Sequence, residues 1–329
     1  MEGPDTNRPV IGMSLFYPLL CNYYVTTRCN AKCTFCSIHK KTGIDAQAED
    51  VIINLQQLKK LGIRFVDFTG GEPLLHPDLP DFLDKARSLK IKTTVTTNTL
   101  RYPDCAEALK GRIDLLHFSL DGPDAETHDA IRGVPAFDKV MESLEVARQL
   151  GEKPDLLFTV TEENSHHLPA MVDLAQRHKR ILIVNPVFSY FGNQGASDPL
   201  LEGLLQWAGA PYVYLNRAMV RFMKNGGNQR QHPRCRAVTT TLVIDADNHL
   251  LLPCYHHAVE RLPIGGDLMG VWLSDAARSQ QRLEGRLEAC QHCAISCYFD
   301  PSFTHTLDRY FWLSQASKLK YAFDKYLRP

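Results

Sequence analysis

An α/β fold of six βα units around a parallel sheet, followed by a smaller cysteine-bearing module, is what this 329-residue sequence predicts. Three observations carry the prediction. Short β-rich runs alternate with amphipathic helical patterns from residue 21 to about 190, the sign of repeated βα units. Gly62, Gly111 and Gly151 stand where those helices should stop, as caps that need positive φ. Eight of the ten cysteines fall in two groups: Cys29, Cys33 and Cys36, then Cys235, Cys254, Cys290, Cys293 and Cys297.

The elements follow in order. Residues 1–20 are a lead-in. The apolar stretch 11–25 is interrupted by Pro18, Cys21 and Asn22, lacks a basic lead-in and is too short to span a bilayer, so it reads as the entrance to a buried strand. Strands are predicted over 22–27, 64–69, 92–97, 114–119, 156–161 and 181–187 of a core that runs from 21 to 190. Apolar residues at three- and four-residue spacing predict helices over 49–61, 79–89, 136–150 and 168–180. Residues 191–233, with Gly192, Gly195, Gly203, Gly226 and Gly227 around an amphipathic piece at 214–224, read as a bridge. In the module 234–300, runs at 239–244 and 249–252 flank Asp245-Ala246-Asp247-Asn248, a β-hairpin with an Asx-type turn that separates Cys235 from Cys254. Residues 301–329 close the chain with an aromatic, basic helix containing Tyr310, Phe311, Trp312, Tyr321, Phe323 and Tyr326, expected to pack on the core.

The length permits one large α/β domain and a smaller appended module. With 44% hydrophobic and 22% charged residues the composition is that of a soluble globular enzyme. Thirty-seven basic residues balance thirty-seven acidic ones, so no global field steers the chain toward nucleic acid or an anionic membrane. No secretory signal is recognisable, and a cytoplasmic location is expected. There, clustered cysteines are better explained by thiolate ligation than by disulfides. Cys21 and Cys105 stand apart and read as small buried hydrophobes.

Cys29, Cys33 and Cys36 follow directly on the first predicted strand, so their thiols sit at its C-terminal end, where βα barrels place their chemistry. Three thiolates on a short loop supply three of the four iron ligands a 4Fe-4S cubane needs, and leave one iron open. A structural zinc site would need a fourth protein ligand, for which His39 is the near candidate.

Cys-x3-Cys-x-aromatic-Cys after a first strand, with Phe35 as the aromatic residue, resembles the signature of the radical S-adenosylmethionine (SAM) superfamily. The resemblance implies a partial (β/α)6 barrel, a SAM-binding 4Fe-4S cluster on these three cysteines, and cleavage of SAM to a 5'-deoxyadenosyl radical that abstracts hydrogen. Gly70, Gly71 and Glu72, followed by Pro73, resemble the family's motif after the second strand, whose backbone and acid receive the methionyl amino group of SAM. Glycines there also let backbone approach a ligand closely. Asn98, Ser119 and Asp121 resemble positions used near the SAM ribose and carboxylate, and Arg132 resembles a basic residue often found in relatives. Asn98 and Asp121 can equally be turn or N-cap residues. Val184 and Asn185 are placed to face adenine, although the family's glycine-rich fifth-strand motif has no counterpart here.

The second group resembles the Twitch and SPASM extensions of the same superfamily, in which a cysteine-bearing hairpin and a later Cys-x2-Cys clamp an auxiliary 4Fe-4S cluster. Five thiols are available for a site that needs four; Cys235, Cys254, Cys290 and Cys293 are the expected ligands and Cys297 the spare, and a four-thiolate zinc site is the rival. His249, His256 and His257 lie beside these cysteines and are read as solvent-facing or as partners of the ligands.

The expected function is a radical SAM oxidoreductase or modification enzyme in which the auxiliary cluster assists net oxidation. Only 28 residues precede Cys29, which favours a small-molecule substrate over a peptide, with side-group oxidation of a tetrapyrrole or another natural product as one instance. The resemblance further implies an electron donor such as flavodoxin or ferredoxin. The alternatives are a peptide-modifying maturase and, from another class, a non-catalytic iron-sulfur carrier or zinc-binding scaffold.

Overall fold

The computed structural model describes residues 18–190 and 195–328. Most of the predicted lead-in, and the part of the bridge that holds Gly192, lie outside the described residues. One ten-stranded sheet organises the molecule, in the order β10-β9-β8-β1-β2-β3-β4-β5-β6-β7. Its centre is β1 (Leu20–Thr26), β2 (Phe65–Gly70), β3 (Lys92–Thr97), β4 (Leu115–Ser119), β5 (Asp155–Val160) and β6 (Leu182–Pro186), each parallel to its neighbour. All six strands fall within two residues, at each end, of their predicted positions.

Alternation fixes the faces. Cys21, Tyr23 and Val25 of β1 and Val66 and Phe68 of β2 are buried in the core beneath the helices, while Tyr24, Asp67 and Thr69 point to the opposite face. The covering helices include α1 (Ala48–Lys60) and α2 (Leu79–Ser88), which bury Leu55, Leu58, Phe82 and Leu83 along one stripe. Within the core, between residues 21 and 190, the structure adds two α-helices to the predicted set, α3 (Tyr102–Leu109) and α4 (Ala125–Arg132). At eight residues each they are too short for a clear apolar period, and their ends mark them instead. Pro103 sits in the first turn of α3. Asp124 accepts the Thr127 amide at the start of α4, and Gly133 closes it in the left-handed region. α5 (Phe137–Leu150) and α6 (Leu168–His178) complete the core. Gly62, Gly111 and Gly151 all have positive φ, as expected of them.

The bridge is more ordered than its glycines suggest. It holds α7 (Asp198–Leu205), the edge strand β7 (Val213–Tyr214), parallel to β6, and α8 (Arg217–Lys224). On the other edge, β8 (Thr241–Ile244) pairs in parallel with β1, and β9 (His249–Leu252) and β10 (Glu260–Pro263) follow antiparallel. The predicted first hairpin strand is therefore shorter, because Thr239 and Thr240 belong to a single helical turn, α9 (Ala237–Thr240). The Asx turn is present: Asp245 Oδ1 accepts the amides of Asp247 and His249. Asn54 of α1 donates to both Tyr23 Oη and Asn248 Oδ1, at 2.9 Å each, and ties the hairpin turn to the core.

α10 (Leu268–Leu273), α11 (Asp275–Leu283) and α12 (Ser296–Ser302) lead to α13 (Arg309–Ala322), which packs on α8 and β7. Its buried side is made of small residues, Ser314 and Ser317, while Trp312 and Leu319 are exposed. Among the described residues no helix is long and apolar enough to cross a membrane.

Candidate functional site

The loop carrying Cys29, Cys33 and Cys36 leaves the C-terminal end of β1 and is clamped from two sides. On one side Gly71 and Glu72 donate their amides to the carbonyls of Thr26 and Arg28 at 2.9 and 2.8 Å. The crossing is so tight that a Cβ on Gly70 would stand 2.1 Å from the Thr26 carbonyl oxygen, and one on Gly71 2.0 Å from that of Arg28. The glycine pair is thus required first by the protein's own backbone. On the other side Lys32 and Thr34 donate to the carbonyls of Arg132 and Ile131 at the end of α4, both at 2.9 Å.

The charged residues around the loop are spent on holding it. Glu72 is buried, and its carboxylate accepts from Thr97 Oγ1 at 2.8 Å and from the amides of Asn98 and Leu74. Burial pushes it up to about 7 against those three donors. Asn98 reaches Asn30 of the loop at 2.7 Å. Asp121 is fully buried, pairs with Arg132 at 2.6 Å and accepts the Thr159 amide. Arg132 also donates to Cys33 Sγ at 3.5 Å and lies over the Phe35 ring. Ser119 is buried beside them. Of the predicted SAM-contacting residues, Phe35 and Gly70 line the open cleft beside Cys36; Gly71, Glu72, Asn98, Ser119, Asp121 and Arg132 do not.

That cleft, about 250 Å3, lies at the C-terminal ends of β1, β2, β5 and β6. Thr69, Thr159 and Asn185 give it polar atoms, and Tyr24, Phe188, Tyr190 and Tyr255 give it aromatic walls. Val184, expected to face adenine with Asn185, instead points into the core. Tyr24 stacks on Tyr255, ring centroids 4.0 Å apart and 5° from parallel, and Lys41 donates to Tyr255 Oη at 2.7 Å. Tyr255 follows Cys254, so a neighbour of the second cysteine group forms part of the wall opposite Cys36. Sequence reasoning missed this wall, because it is assembled from segments more than 200 residues apart.

Cys235, Cys254, Cys290 and Cys293 surround a small enclosed void with Pro253, Tyr298 and Phe299; Cys297 is not among its walls. Amides point at these sulfurs: Ala237 at Cys235, His256 and His257 at Cys254, Gly285 and Leu287 at Cys290, Ile295 at Cys293. Cys29 and Cys36 receive those of Ala31 and Ile38 in the same way. Among the described residues Cys21 has no such donor, and Cys297 and Cys105 have only their own amide. Donors aimed at sulfur stabilise a thiolate. Burial opposes them, pushing Cys29 and Cys254 up to about 11 and Cys293 up to about 12, so the sulfurs need a metal to hold them ionised. The donor sets therefore fit metal clusters, with Cys297 left over. Among the described residues, no three His, Cys, Asp or Glu side chains converge on one point as a single ion requires.

Asn228 is the hub of the second group and had no sequence signal beyond the glycines before it. Its side chain donates to the carbonyls of Gly285 and Cys290 and accepts the amides of Arg234 and Cys235, while its backbone exchanges bonds with His292 and Cys293. It is fully buried.

Comparison with known proteins bears on this geometry. The family model described as the Radical SAM superfamily matches residues 23–175. The Fe-coproporphyrin III synthase of Methanosarcina barkeri is 31% identical over 184 residues, 54% of this chain and 46% of that protein. A probable GTP 3',8-cyclase of Saccharolobus solfataricus is 32% identical over 157 residues, 46% of this chain and 51% of the relative. The chain thus spans about half the length of the curated relatives it matches. Among solved structures, anSMEcpe with bound AdoMet shares the fold at a TM-score of 0.63 and 19% identity, over 93% of both chains. Streptococcus suis SuiB bound to the precursor peptide SuiA does so at 0.63 and 21%, over 81% of this chain and 67% of that one.

Proposed function

We propose, from the match of residues 23–175 to the radical SAM superfamily model, that this chain is an enzyme that cleaves SAM reductively and modifies a small molecule, with a second 4Fe-4S cluster assisting net oxidation. The observation that carries the reading is the loop of three cysteines clamped between Gly70-Gly71 and Arg132, opening on a cleft. Cys29, Cys33 and Cys36 would hold the SAM-binding cluster. Bound there, cluster and SAM supply an electron and a carbon-centred radical able to take hydrogen from an unactivated position.

The protein's own part is positioning. Arg132 sets the Cys33 sulfur through its ion pair with Asp121, Glu72 locks the turn that the loop crosses, and Phe35, Thr69, Gly70 and Asn185 line the space left for SAM. Cys235, Cys254, Cys290 and Cys293 would hold the second cluster. Support for a metal centre there comes from four thiols lining one enclosed void, with backbone amides aimed at their sulfurs. Support for a small substrate comes from the curated relatives, named for a porphyrin and for a guanine nucleotide.

The test is anaerobic. Reconstituted protein with dithionite and SAM is expected to form 5'-deoxyadenosine; Cys33→Ala should abolish it, and Cys254→Ala should leave cleavage but no modified product. Absence of 5'-deoxyadenosine from protein with intact cluster absorbance would overturn the reading. Two cubanes require about eight iron per chain, and one cubane plus zinc about four.

A further inference from the structure

We propose that His256 presents a hydrogen-bond donor to a flat, largely apolar small molecule in the cleft, and so selects substrates that carry a ring and an acceptor; this rests on the radical SAM reading of the cleft. His256 lies two residues after Cys254 and shares the cleft lining with Cys36, Thr69, Gly70 and Asn185. Its amide is aimed at the Cys254 sulfur while its ring lines the cleft with Cys36, so a ligand against the ring lies near residues of both cysteine groups.

Four aromatic rings fix its plane. Tyr190, Tyr255, Phe188 and Tyr298 approach it edge to face, with centroids 4.4, 5.6, 5.7 and 5.8 Å away and interplanar angles of 78 to 87°. No carboxylate pairs with it among the described residues. Nδ1 is buried and has no hydrogen-bond partner among the described residues. A proton there would bury an orphaned donor, the rarer arrangement in proteins. The proton therefore belongs on Nε2, the ring nitrogen left to meet a ligand, and no acceptor among the described residues takes it.

The rest of the lining says what shape the acceptor comes on. Tyr24, Phe188, Tyr190 and Tyr255 offer ring faces and edges, with Tyr24 and Tyr255 already stacked. Such walls favour a planar conjugated ligand. A carbonyl or ring nitrogen on its rim would satisfy the His256 donor.

The test uses two probes of one shape, isoquinoline and naphthalene, which differ by a ring-nitrogen acceptor. Their affinities for the reconstituted, SAM-loaded protein are measured anaerobically by ligand-observed NMR. His256→Phe, which keeps a ring in the aromatic cage, is expected to lower the isoquinoline-to-naphthalene affinity ratio about fivefold, the size of one neutral hydrogen bond. His256→Gln, which restores a donor, should keep the ratio within about twofold of wild type. An unchanged ratio in His256→Phe, an equal loss in His256→Gln, or no binding of either probe to wild type overturns the proposal. 5'-Deoxyadenosine is assayed in the same samples: its absence counts against SAM cleavage, whereas the ratio alone judges His256.

Discussion

Single side chains decide whether each centre holds together. Asn228 satisfies two carbonyls and two amides around the second cysteine group. Asn228→Ala leaves these buried groups unpaired, at a cost of about 2–4 kcal/mol, so a lower denaturation midpoint and iron content near about four per chain are expected. Asp67 offers a second test. It lies on the same face of β2 as Thr69, its Oδ1 is buried without a hydrogen-bond partner among the described residues, and burial alone pushes its carboxyl up to about 7. A carboxyl raised on folding contributes stability that is complete below its unfolded value near 4 and is lost as pH rises through the folded one. Wild type should therefore lose about 2 kcal/mol between pH 5.5 and 8.5 that Asp67→Asn retains, measured by urea denaturation at both values. The grouping of Cys29, Cys33 and Cys36 on one loop after β1 was legible from spacing alone. Asn228, Tyr255 and the role of Arg132 at Cys33 were not, because each acts on a residue at least 50 positions away.

At the level of elements, α4 is the piece on which the first cysteine loop rests. Gly133, its left-handed C-terminal cap, places its Cα so close to the loop that a Cβ would stand 2.7 Å from the Lys32 carbonyl oxygen. Gly133→Ala adds a left-handed strain to that clash and is expected to displace the loop, with iron analysis showing selective loss at the first centre and about four iron retained. Strands and long helices were readable because period-2 and period-3.6 patterns are local. α4 was not, since its eight residues give little more than two turns and its meaning lies in what its end touches. The turn at Asp245 was readable for the converse reason: an Asx turn is built from residues two and four apart.

Across the whole molecule, β8 on β1 is the feature that periodicity could not reveal, since parallel pairing between strands some 220 residues apart leaves no local trace. It joins the hairpin of the second cysteine group to the central sheet, and Asn54 bonds the hairpin turn to α1. Loss of far-ultraviolet dichroism and bleaching of iron-sulfur absorbance should therefore follow one curve in denaturant. Two separated curves would mean that the hairpin opens without the sheet.

The ladder between β1 and β8 also works as a ruler. Leu20 faces Thr241 and Tyr23 faces Ile244, so the gap between the two thiol groups is gauged in fixed notches of backbone rather than by any tether. Lengthening the chain between 205 and 213 would leave that gauge untouched. A lineage adapting this scaffold to a larger guest would have to whittle the walls, at Phe188, Tyr190 or Tyr255, and not stretch the frame.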